Sequence, residues 1–284
     1  GPRPVPPVET RPTEFSVTEI ETLIRDPYAI YAKHVLDLRP LDMIDADVTA
    51  AERGTIIHKA LEEFSRAHPD KMPADALDEL LRIGRTVFAS TMDRPAVATF
   101  WWPRFERLAE WFIEFEQKYR STMAKSFAEQ SGRIRIDGLT RETYLSGRAD
   151  RMDMMEDGRL TIIDYKTGGT PSQKEVETGL SPQLPLEAAM AKRGAFETFG
   201  KVETAAMLFI RLTGAEQKPG EVREIPVDDL PEKTWHSLVS LLLKYENPKT
   251  PYLSNPRPQF VGRFADYDHL ARVKEWSAGG EGGE

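Results

Sequence analysis

Two extended runs, residues 143–155 and 160–166, flank Asp157-Gly158 and read as an antiparallel hairpin. Arg133-Ile134-Arg135-Ile136 alternates cleanly just before them, so the centre of the chain reads as a three-strand meander. The apolar run Leu160-Thr161-Ile162-Ile163 ends in Asp164-Tyr165-Lys166, which sets a carboxylate and an ammonium two residues apart on one strand face. Register decides what they meet. A three-residue loop, Glu156 to Gly158, brings Asp150 opposite Asp164, so that both carboxylates and Lys166 share a face. A two-residue loop would put the aspartates on opposite faces. Asp153 is out of phase with Asp150 and reads as a surface residue.

Two neighbouring carboxylates repel and stay ionised together only with a cation or several donors between them. Magnesium suits an all-oxygen set, with manganese as the alternative, and either would polarise a phosphodiester and activate a bound water. His58 could add an imidazole ligand, although a helix histidine taken alone is more often structural. Gln183 and Glu187, four apart, share one side of a predicted helix and could equally be an ordinary polar face.

Around this core the sequence is helical. Ser16 with Glu19 forms a capping-box pattern that opens a helix over 16–36, interrupted at Asp26-Pro27. A second helix spans about 50–67, and a helical, aromatic stretch runs from Pro73 to Lys125, its Trp101, Trp102, Phe105, Trp111, Phe112 and Phe115 read as core. After the meander, Ser181-Pro182 reads as the cap and first turn of a helix reaching Phe199, followed by a buried strand over 202–212. A helix over 230–245, a proline-rich loop and a short final helix close the chain.

The 284 residues suffice for one large domain with a real core. No apolar stretch approaches the length of a membrane span, so no membrane partner is expected. The absence of cysteine rules out disulfides and thiolate chemistry and fits a cytoplasmic location. A net charge of −8 argues weakly against nucleic acid, but clustered metal-binding carboxylates contribute to that sum, and basic residues gather near the strands. Among these, Arg148 and Arg151 are candidates for substrate contact. The nearest approach to a phosphate-binding loop, Gly194 to Lys201, has the wrong glycine spacing, so no ATPase is read here. The start, Gly1-Pro2-Arg3-Pro4-Val5-Pro6-Pro7, lacks an initiator methionine and reads as a tag scar running into a proline-rich linker over 1–14, outside the fold and joined to a longer chain.

Four ordered segments carry a family resemblance: Gly54-Thr55-Ile56-Ile57-His58, Gly147-Arg148-Ala149-Asp150-Arg151, Ile163-Asp164-Tyr165-Lys166-Thr167-Gly168 and Gln183-Leu184-Pro185-Leu186. The chain resembles the RecB-like nucleases of the PD-(D/E)XK superfamily, and within them the carboxyl-terminal nuclease domain of AddB-type subunits of AddAB helicase-nucleases. The resemblance implies an α/β fold with a restriction-endonuclease-like core (helix, three antiparallel strands, helix, strand) carrying a helical insertion over about 70–128 and helical extensions. The single nuclease domain would span 15–276, with a flexible tail over 277–284. It implies metal ligation by His58, Asp150, Asp164 and the Tyr165 carbonyl, catalysis by Lys166, and Gln183 beside the scissile strand. The implied role is DNA end processing on a single strand fed by an AddA-like helicase subunit. A stand-alone RecB-like exonuclease, CRISPR- or phage-associated, and a catalytically silent DNA-binding module are the alternatives.

The chain departs from that family at two points. Glu187 stands where the family has tyrosine, which leaves its substrate contact open. Asp26-Pro27 stands where many relatives have the first cysteine of an iron–sulfur cluster, and without any cysteine no such cluster can form.

Overall fold

Ser16 ends an extended segment and starts a helix by a reciprocal cap. Its Oγ accepts the Glu19 N–H at 3.2 Å, and the Glu19 carboxylate accepts the Ser16 N–H at 2.8 Å. Helix α1 (Val17–Arg25) then buries Val17, Ile20 and Leu23, and Pro27 opens α2 (Pro27–His34), because proline breaks one helix but suits the first turn of the next. Burial alone would raise the Glu19 carboxyl. Hydrogen bonds from His34, Lys33 and the Ser16 amide outweigh burial and hold it down at about 2. Its stabilising effect is therefore complete above the ordinary carboxylate range and is lost as pH falls through that range toward 2. Glu19→Gln should cost about 1 kcal/mol at neutral pH, and urea titrations at decreasing pH should show the difference from the parent closing.

The computed structural model describes residues 1–39, 50–89 and 97–254, together with Tyr267, Leu270 and Ala271. Among these, one six-stranded sheet organises the chain. Its strands are β1 (Glu14–Ser16), β2 (Met123–Arg135), β3 (Tyr144–Met155), β4 (Leu160–Lys166), β5 (Thr204–Leu212) and β6 (Gly220–Ile225). β2 runs antiparallel along the whole of β3. The other edge of β3 is shared: β1 pairs in parallel with residues 144–146, and β4 pairs antiparallel with residues 151–154. Residues 147–150 have no strand partner on that edge. β5 lies parallel to β4, and β6 closes the sheet antiparallel to β5.

Helices cover both faces. On one, α1, α7 (Gln183–Lys192) and α8 (Leu230–Glu246) bury Ile20, Leu184, Met190 and Leu238 against Met152, Ile162 and Phe209. On the other, α3 (Ala50–Ala67), α4 (Ala76–Phe88) and α5 (Trp102–Tyr119) bury Phe64, Leu80 and Phe112 against Ile163, Tyr165 and Ile210. The expected order of helix, three antiparallel strands, helix and strand is present, as α3, β2 to β4, α7 and β5. No helix among the described residues is long and apolar enough to cross a membrane.

Several sequence expectations are corrected. The stretch expected to stay helical to Lys125 turns to strand at Met123, ten residues before the clean alternation, because β2 is irregular: Glu129 takes a φ of 53° within it. Ser181 makes no cap, since the N-cap of α7 is Pro182, and that helix ends at Lys192 rather than Phe199. The loop before it holds a short capped helix, α6 (Gln173–Glu177). The proline-rich start is packed into the fold rather than linking to it. Arg11 is buried and donates to the carbonyls of Pro6, Tyr245, Asn247 and Pro248, and the Tyr252 N–H donates to Pro4 O. The expected final helix and the tail lie outside the described residues.

Candidate active site

The hairpin places the carboxylates. Met155 N donates to Arg159 O at 2.9 Å across a loop of Glu156, Asp157 and Gly158, and Gly158 sits at φ 82°, where glycine carries no Cβ penalty. Pairing then runs Met154 with Leu160 through Arg151 with Ile163, so the odd loop puts Asp150 across from Asp164. The ladder stops there. Asp150 Oδ2 accepts the Tyr165 N–H at 2.8 Å, taking the place of a backbone carbonyl.

The expectation of one shared face needs correction at this point. Ala149 and Met152 both pack into the core beneath α1 and α7, although strict alternation would put them on opposite faces. The period of two slips by one residue at Asp150, opposite the irregular Glu129. Asp150 thereby reaches sideways into the unpaired stretch of β3 instead of standing on either face. From there it is open to both layers, with His58 Nδ1 of α3 3.6 Å from its Oδ2 and Asp164 near enough to repel it.

Asp164 and Lys166 point toward α7. Lys166 Nζ lies 2.8 Å from Asp164 Oδ2 and 3.1 Å from Oδ1. Gln183, in the first turn of α7, donates its amide to Asp164 Oδ1 at 2.6 Å and accepts from Lys166 Nζ at 3.2 Å. The three side chains form a closed polar ring. Burial pushes the Asp164 carboxyl up, the Asp150 charge adds to that, and Lys166 offsets part of it, leaving it at about 6. Burial works against the Lys166 ammonium, but Asp164, Asp150 and Glu21 outweigh it and hold its proton more firmly than usual.

Two crowded carboxylates, one of them buried, form a donor set suited to a hard divalent cation. Among the described residues no three His, Asp or Glu side chains yet converge on one point. The protein's own donors hold the pair instead: the Tyr165 amide on Asp150, Lys166 and Gln183 on Asp164.

Three other expected residues fall elsewhere. Arg151 is 0% exposed and cannot reach a substrate. It turns under the sheet to Glu116 of α5 at 2.6 Å and to Asp153 at 2.8 Å, and it touches the Tyr165 hydroxyl at 3.3 Å. Asp153, expected at the surface, is buried as its partner. Glu187 is buried beneath Gln183, which donates to its Oε1 at 3.4 Å, so it does not face a substrate either. Burial, with the charges of Asp164 and Asp150, keeps its carboxyl well above the usual range. Arg148 alone of the two arginines is open, its side chain 69% exposed on the rim and paired with Glu129.

One residue was missed: Glu21, on α1, lines the cleft of about 360 Å³ beside Lys166, Ser181 and Gln183. Glu62, which the four-residue spacing puts on the same side of α3 as His58, lines a small enclosed space with His58, Asp150 and Glu129.

The family model described as the PD-(D/E)XK nuclease superfamily matches residues 14–257. The chain belongs to that superfamily. Members generally use divalent metal ions, in keeping with the carboxylate pair. The superfamily chain is 32% identical over 273 residues to an uncharacterized protein of Rickettsia bellii, covering 91% of this chain and 32% of that protein. It is 36% identical over 189 residues to one of Rickettsia conorii, covering 65% and 23%. A subunit of an ATP-dependent helicase/deoxyribonuclease of Streptococcus agalactiae matches at 23% identity over 237 residues, covering 81% and 21%. The chain thus spans a third or less of the length of these relatives. The crystal structure of a candidate exonuclease from Eubacterium rectale superposes with a TM-score of 0.47 at 11% identity, covering 93% of this chain and 95% of that one.

Proposed function

We propose that this PD-(D/E)XK chain is a Mg2+-dependent deoxyribonuclease module, with Mn2+ as a substitute, that shortens single DNA strands exonucleolytically as part of an AddAB-type helicase-nuclease. The meeting of Asp150, Asp164, Lys166 and Gln183 at the unpaired stretch of β3 carries this reading. Asp150, Asp164, His58 and the Tyr165 carbonyl would hold the cation. When bound, it supplies Lewis-acid stabilisation of phosphoryl oxygens and an acidified water. Lys166 offers a protonated ammonium to the charge that builds on the phosphate. Gln183 keeps that ammonium aimed by accepting from it. Arg148, on the rim, meets the strand backbone.

The length of the relatives, and the naming of the streptococcal one as part of a helicase/deoxyribonuclease, favour a module within a longer protein, partnered by an AddA-like helicase subunit, over a stand-alone enzyme. The test is incubation with end-labelled single-stranded DNA. Progressive shortening with Mg2+ that EDTA stops is the expected result. An intact label with Mg2+ and with Mn2+, on single and double strands alike, would overturn the reading.

A further inference from the structure

Beyond the carboxylate site, two arginines gather at the end of the sheet where Lys166 lies. Helix α3 closes onto the residue after Lys166: a Cβ on Gly54 would sit 2.8 Å from Thr167 Oγ1. The first turn of α5 closes onto the end of β5, where a Cβ on Gly214 would sit 2.3 Å from the Arg104 carbonyl oxygen, and Arg107 Nε donates to Gly214 O at 3.0 Å. β4 and β5 are parallel, with Lys166 opposite Arg211, whose Nε donates to Gly168 O at 2.9 Å. Arg53, which precedes Gly54, and Arg104 therefore come to the same rim as the lysine.

These arginines differ from others in the chain. Arg82, Arg120, Arg133, Arg151 and Arg159 each meet a carboxylate. Arg53 and Arg104 meet none among the described residues, and partial burial, with the charge of Arg104 adding to it, weakens the hold of Arg53 on its proton. Two neighbouring guanidinium groups with no acid among the described residues to pair them are unfavourable until an anion joins them. Phe100 leaves 64% of its surface in water. It stands four residues before Arg104 on the helical run formed by the turn Val97–Trp101 and α5, so the two share a side. A planar apolar ring next to paired cations matches the way single-stranded nucleic acid is held, by phosphate neutralisation and base stacking.

We infer that Arg53 and Arg104 clamp a backbone phosphate of the substrate strand away from the scissile one, with an unpaired base stacked on Phe100. This rests on the nuclease reading above, and it adds a preference for single strands, since a paired base cannot turn onto the ring.

Fluorescence anisotropy of a labelled single-stranded oligonucleotide, in EDTA to suspend cleavage, tests it on the full chain. Arg53→Gln/Arg104→Gln should weaken binding at least about tenfold and flatten the slope of log K against log salt by about 1.4, two contacts at about 0.7 each. Phe100→Ala should weaken single-strand binding about fivefold or more and leave blunt-duplex binding unchanged. Arg159→Gln, whose partner is Asp157, serves as the neutral control, and circular dichroism checks that each variant is folded. Parental affinity and slope in the double arginine variant would overturn the clamp alone. A parent chain that binds no single strand would overturn the clamp and the nuclease reading together. Equal losses on single and double strands in Phe100→Ala would overturn the stacking.

Discussion

Asp164→Ala is expected to lower the cleavage rate by about a thousandfold or more and to weaken Mn2+ binding with it, while Lys166→Ala should lower the rate about as far and leave Mn2+ binding within a few-fold. The difference follows from what each side chain touches. Removing the Asp164 carboxylate takes away an anionic donor and leaves the Lys166 ammonium and the Gln183 amide, both bound to it now, without their shared partner. Removing the ammonium leaves both carboxylates in place and deletes only the positive charge offered to the phosphate. Single-turnover cleavage of an end-labelled strand and calorimetric titration of Mn2+ into each variant separate the two. Loss of metal binding in Lys166→Ala equal to that in Asp164→Ala would show that the lysine organises the carboxylates and does not act on the substrate.

Arg151→Met should be the most destabilising single change beneath the site, by about 3–5 kcal/mol. Arg151, Glu116 and Asp153 are all fully buried, and Arg120 Nε adds a 2.5 Å contact to Glu116 while its Nη1 reaches His68 O at 2.6 Å. Burial would raise the Glu116 carboxyl, yet Arg151 and Arg120 overcome it and keep the group ionised. Without Arg151, Glu116 keeps one cation and Asp153 keeps none, and an uncompensated buried carboxylate costs far more than the ion pair contributes when whole. At roughly 2–4 °C per kcal/mol for a domain of this size, the melting point should fall by about 10 °C, read by calorimetry. Arg151→Met/Glu116→Leu/Asp153→Leu should recover most of that loss, because apolar replacement of the whole set removes the unpaired charges.

What the sequence disclosed depended on how local the cause was. The β3–β4 hairpin was readable because its turn is local, although the sequence left two registers open, between which the three-residue loop Glu156 to Gly158 decides. The cap at Ser16 was readable because its partner is three residues away. Arg151 was misread because its partner Glu116 lies 35 residues earlier on another element, and nothing near position 151 signals a buried cation. Asp153 was misread with it, because its partner is that same buried Arg151. The packing of the proline-rich start was hidden likewise, since the carbonyls that hold Arg11 come from residues 245–248. The slip at Asp150 needs Glu129, on a neighbouring strand, to take an unusual backbone conformation. Periodicity alone predicts the opposite.

The shared edge of β3 also fixes a dimension. Both sides of the opening at residues 147–150 are strands bonded to the same backbone, β1 at Ser146 and β4 at Arg151. At about 3.3 Å per residue those four residues span about 13 Å. The aperture cannot widen by side-chain motion or helix sliding; it would have to break ladder hydrogen bonds. Its width is a covalent length, a gauge written into one tetrapeptide.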